Sequence, residues 1–68
     1  MQLMTEELLD CQGRTTHRLV LELDGTVTVT FMSSGTSARI DTERRTVLTP
    51  GVHVAPQLMN AACGLRVR

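Results

Sequence analysis

The clearest pattern in the chain is a pair of alternating, β-branched runs, His17-Arg18-Leu19-Val20-Leu21-Glu22 and Thr26-Val27-Thr28-Val29-Thr30-Phe31-Met32, separated by Leu23-Asp24-Gly25. Alternation with a period of two marks strands that bury one face. A two-residue Asp24-Gly25 turn would set Leu21 against Thr28 and Val20 against Val29, mixing polar and apolar positions. A three-residue loop with a left-handed Gly25 pairs Glu22 with Thr26, Leu21 with Val27, Leu19 with Val29 and His17 with Phe31 instead. That register collects Leu19, Leu21, Val27, Val29 and Phe31 on one face. It puts Arg18, Val20, Glu22, Thr26, Thr28 and Thr30 on the other. Because a one-residue slip would turn the apolar set to solvent, the pattern predicts a hairpin over residues 16–32 in the second register.

The flanking segments are shorter. Thr5 in capping position, Glu6 and Glu7 near a helix start, Met4, Leu8 and Cys11 at i, i+4 and i+7, and Gly13 as terminator predict a short N-terminal helix. Ser33-Ser34-Gly35-Thr36 reads as a turn. Ser37-Ala38-Arg39-Ile40 and Arg45-Thr46-Val47-Leu48-Thr49 read as strands around Asp41-Thr42-Glu43-Arg44, with Val52-His53-Val54 as a brief further strand. Pro56 suits the first turn of a helix over residues 57–62, closed by Gly64. Leu65-Arg66-Val67-Arg68 alternates like a terminal edge strand. The expected architecture is a single α+β domain over residues 1–68, an antiparallel sheet of four or five short strands flanked by two short helices. A small open β-barrel is the alternative.

Composition narrows the class. Apolar residues make up 41% of 68 residues, and Phe31 is the one aromatic, a lean supply for a core. A domain this small buries about 60% of its unfolded surface and usually draws on a disulfide, a metal or a partner. Cys11 and Cys63 are the only cysteines, which is sparse for a disulfide scaffold and fits reduced thiols in a cytoplasm. No apolar run approaches a bilayer span, and the acidic N-terminus does not resemble a secretory signal. Self-association or binding to another protein is the remaining route to added stability.

The net charge is zero, and all seven bases are arginines. Their distribution is uneven: residues 1–34 carry a net −3 and residues 35–68 a net +3. Such a split supports contacts between the halves or between chains. Arginine also favours bidentate pairing with carboxylate or phosphate. Arg39, Arg44, Arg45, Arg66 and Arg68 form a basic stripe if the terminal strand lies beside the 39–45 hairpin. Val20 stands as an apolar position within a polar face.

Candidate chemistry is thin. Cys11, His17, His53 and Cys63 include zinc-ligand types but lack the short paired spacing of structural zinc sites. Cys63, His53 and Asn60 supply thiol, imidazole and amide, yet there is no nucleophile elbow or glycine-rich oxyanion loop. Phosphate, dinucleotide and calcium loops are not present in the sequence. Thr26, Thr28 and Thr30 are ordinary residues for an exposed strand.

The sequence thus predicts a small cytoplasmic protein without catalysis or cofactor, an adaptor, regulatory subunit or inhibitor of a larger protein. It would act through sheet edges and arginine contacts, and self-associate. The predicted interface is Val20, Arg39, Arg44, Arg45, Arg66 and Arg68. The competing reading is a nucleic-acid-associated protein that uses the arginine stripe on phosphates, although it lacks the stacking aromatics of single-strand binders.

Overall fold

The computed structural model describes residues 2–67. Five antiparallel strands follow one another in sheet order β1-β2-β3-β4-β5: β1 Gln2–Leu9, β2 Thr15–Glu22, β3 Val27–Phe31, β4 Ser37–Asp41 and β5 Thr46–Val47. One helix, α1 Pro56–Arg66, crosses one face of this meander. The sheet is open, with β1 and β5 as its two edges, so the barrel alternative does not hold.

The central hairpin has the expected register. His17 faces Phe31, Leu19 faces Val29 and Leu21 faces Val27. Glu22 N–H donates to Thr26 O at 2.9 Å, and Gly25 N–H donates to Glu22 O at 3.1 Å, with Gly25 at φ 87°. That left-handed conformation needs no Cβ to be moved aside, which is why glycine ends this loop. Asp24 Oδ1 accepts from both the amide and the hydroxyl of Thr26, at 3.0 and 2.7 Å.

The N-terminal segment corrects the sequence reading: residues 2–9 form a strand, not a helix. β1 pairs with β2 so that Met4 faces Leu21, Glu6 faces Leu19 and Leu8 faces His17. Two turns of helix are too short to persist without docking. A strand, in contrast, gains a ladder of backbone bonds along β2 and lays Leu8 against the core. Glu7 also meets Arg18 across the strands, with a 3.0 Å ion pair. Gly13, expected to end a helix, instead closes the β1–β2 turn at φ 82°, where Asp10 Oδ1 accepts from the amides of Gln12 and Arg14.

Two further corrections concern the C-terminal third. The segment 52–54 is not a strand, and β5 is the two-residue Thr46–Val47. The predicted edge strand over residues 65–68 is absent among the described residues, because α1 continues through Gly64 to Arg66. Leu58, Ala62 and Leu65 recur at i, i+4 and i+7 and all face the sheet. Burying Leu65 completely outweighs the roughly 1 kcal/mol that an interior glycine costs a helix.

Those three residues complete a core with Leu19, Leu21, Val27, Val29 and Ile40, and with Ala38 buried beside them on the same face. Phe31 packs at its margin, edge-on to His17 with ring centroids 5.2 Å apart. The opposite face of the sheet carries no helix. No helix among the described residues is long and apolar enough to cross a membrane.

Candidate functional site

Three parts of the surface carry distinctive chemistry: the β1 edge, the corner where the β4–β5 turn meets α1, and an apolar cleft at the opposite end of the helix.

The β1 edge follows from strand alternation. On β2, Glu22 and Thr16 direct their backbone groups toward the β3 side, since Glu22 N–H donates to Thr26 O and Thr16 O accepts from Met32 N–H at 3.0 Å. In an antiparallel sheet these directions alternate residue by residue. Leu21, Leu19 and His17 therefore address β1, where their partners are Met4, Glu6 and Leu8. The N–H and C=O groups of Thr5 and Glu7 consequently point outward, away from the sheet. Around them Leu3 is 55% exposed, Leu9 60% and Met4 37%. An edge strand of this length, open on its outer side and with apolar side chains at both ends, is the kind of edge that accepts another strand.

The arginine corner is built by the β4–β5 turn. Asp41 Oδ1 accepts from the amides of Glu43 and Arg44, at 3.0 and 3.2 Å. Arg45 adopts φ 56°, a left-handed conformation uncommon for a residue with a Cβ, and its Nη2 donates to Asn60 Oδ1 on α1. Thr42 is buried. Its hydroxyl donates to Gly25 O at 3.0 Å and accepts from Arg66 Nη1 at 3.4 Å. Three separate elements are therefore joined at this corner: the β2–β3 loop, the β4–β5 turn and the end of α1.

The residues singled out from the sequence divide accordingly. Arg44, Arg45 and Arg66 lie at this corner, brought there by the turn and by α1 rather than by a terminal edge strand. Arg39 projects from the helix-free face, where its Nη2 holds Asp24 Oδ2 at 2.7 Å and Thr26 Oγ1 at 3.0 Å. The hydroxyl and amide of Thr26, and then the Arg39 guanidinium, hold the Asp24 carboxyl below its ordinary range. Val20 is half-buried on the same helix-free face, between Thr5 of β1 and Thr28 of β3. Arg68 lies outside the described residues.

The cleft of about 410 Å³ is lined by Leu8, Leu9, Phe31 and Leu58 together with His17 and His53. Thr16 donates its hydroxyl proton to Leu8 O at 3.1 Å, so at the 2.9 Å contact His17 Nδ1 is the donor and Thr16 Oγ1 the acceptor. The cleft offers apolar surface and two imidazoles, with no carboxylate or thiol in its lining. Cys11 is exposed in the first turn, and Cys63 is half-buried with its thiol 3.7 Å from Thr42 O; both are free. Among the described residues, no three His, Cys, Asp or Glu side chains are placed to share a metal ion.

The β1 edge was missed in the sequence because Met4, Leu8 and Cys11 satisfy a helical spacing. The competing signal was present: Met4, Glu6 and Leu8 also keep the period of a strand, and Glu7 finds an opposite charge on Arg18. Compared with protein-family models, curated proteins and solved structures, the chain shows no significant match.

Proposed function

We propose that this chain is a non-catalytic protein-interaction module that associates by adding a strand at the outer edge of β1. The observation that supports the reading is the eight-residue edge strand, whose Thr5 and Glu7 backbone groups face outward between the exposed side chains of Leu3, Met4 and Leu9. Backbone bonding at a sheet edge supplies affinity, and the side chains beside it supply selectivity. The exposed arginines extend the surface: Arg44, Arg45 and Arg66 offer guanidinium groups to carboxylates at the far corner, and Val20 adds an apolar contact on the helix-free face.

The test is Thr5→Pro. Proline at this outward position removes a donor that the sheet itself does not use, so folding is retained and strand addition is blocked. Thr5→Glu, an edge charge that opposes pairing beside the acidic centre of β1, is the companion variant. Association, either with itself in sedimentation equilibrium from about 1 to about 100 μM or with a partner captured from a native lysate, should fall at least tenfold in both variants. Their circular dichroism should match wild type. Association unchanged in both would overturn the reading.

A further inference from the structure

We infer that the partner of the β1 edge is a second copy of the same edge, paired antiparallel about a twofold axis through Glu6. The inference rests on the edge-addition reading above and adds the identity and register of the incoming strand.

A twofold interface must be self-complementary, because the same residues serve both sides. Along β1 the order Leu3, Met4, Thr5, Glu6, Glu7, Leu8, Leu9 is two apolar, three polar and two apolar residues. This pattern reads the same in both directions about Glu6. Antiparallel pairing centred there sets Met4 against Leu8 of the second copy and Thr5 against Glu7 within the regular stretch of β1, and brings Leu3 and Leu9, which lie at the register irregularities toward β2, to opposite ends of the seam. Each pair joins like with like, apolar to apolar and polar to polar.

The backbone agrees with the same centre. Thr5 and Glu7 carry the outward N–H and C=O groups, so Thr5 and Glu7 of one copy meet Glu7 and Thr5 of the other as hydrogen-bonded pairs. Glu6 bonds inward to β2 and so falls at a non-hydrogen-bonded position across the axis. A register centred on Thr5 would also satisfy the alternation. It would, however, place Glu6 against Met4 and Glu7 against Leu3, setting charge against apolar surface. The Glu6 register joins two five-stranded sheets into one of ten strands, with both helices on the same side.

One cost is built in. The two Glu6 carboxylates stand across the axis from each other, and like charges directly opposite weaken a strand pair. The dimer should therefore be weak and reversible, and Glu6→Gln should tighten it by a few-fold.

The experiment uses cysteine scanning in a Cys11→Ser, Cys63→Ser background. Directly opposed residues at a non-hydrogen-bonded site have Cα atoms about 4.5 Å apart, within reach of a disulfide. Glu6→Cys should oxidise to a covalent dimer far faster than Thr5→Cys, and Thr5→Pro added to Glu6→Cys should abolish the effect. Faster cross-linking of Thr5→Cys, or equal slow rates for both, would overturn the inference. The edge-addition reading fails separately: if Glu6→Cys does not cross-link but Thr5→Pro still abolishes capture of a different protein, the second copy is the wrong partner and the edge remains the interface. If Thr5→Pro changes nothing, both are lost.

Discussion

The two edges of the sheet face the same hazard and meet it differently. β5 is only two residues long and is followed by Pro50. The chain beyond it folds back on β4, where Leu48 N–H donates to Arg39 O at 2.8 Å and Thr49 Oγ1 accepts from Arg39 N–H at 3.0 Å. Little regular backbone is left there for another strand to join. β1 is eight residues long, carries no proline, and has exposed leucines near both ends. Shortness, proline and covering loops are the usual defences of a sheet edge. This molecule uses them on one side, whereas β1 has only register irregularities near its two ends and the acidic pair Glu6 and Glu7 at its centre. The difference teaches that the open edge is a property of β1 itself and not a general consequence of a small sheet.

That contrast can be broken first by side-chain truncation. Leu65 is wholly buried under the sheet centre, whereas Leu3 is mostly solvated on the β1 edge. Leu65→Ala should cost about 2–5 kcal/mol in denaturant unfolding. Leu3→Ala should cost under about 0.5 kcal/mol in the monomer and act instead on association. Equal losses of monomer stability would mean that β1 is as deeply integrated as the core strands.

Much of this arrangement was legible beforehand, for identifiable reasons. The β2–β3 hairpin was readable because only one register separates its faces and because Asp24-Gly25 specifies the loop. β1 was not, because a short segment with Met4, Leu8 and Cys11 fits both periods, and only the vacancy beside β2 decides between them. The last turn of α1 was hidden by Gly64, a local stop signal that the burial of Leu65 overrides. The arginines were visible as a set, but their placement depends on the turn at Arg45 and the helix at Arg66, which composition does not encode.

Smaller effects sharpen the comparison through two exposed ion pairs, one toward each edge. Glu7–Arg18 ties β1 to β2, and a double-mutant cycle with Glu7→Gln and Arg18→Met should return a coupling of about 0.2–1 kcal/mol, fading in high salt. Asp24–Arg39 ties the β2–β3 loop to β4. Because the folded-state Asp24 carboxyl is held below its ordinary value, its contribution is complete at neutral pH and is lost as pH falls through the lowered value. Nuclear magnetic resonance titration of Asp24 should give a midpoint below that of an unfolded aspartate, and Thr26→Val should raise it, since the Thr26 hydroxyl is the largest cause of the shift. An unshifted midpoint would show that the loop contact does not hold the charged form.

Hydrogen exchange of individual β1 amides, followed as protein concentration rises, probes the open edge most directly. Thr5 and Glu7 should exchange quickly in dilute solution and slow together as the protein is concentrated, while Glu6, already bonded to β2, stays protected throughout. If Thr5 and Glu7 exchange equally fast at every concentration, or if protection grows at β5 instead, the outer edge of β1 is not where this molecule meets its second copy.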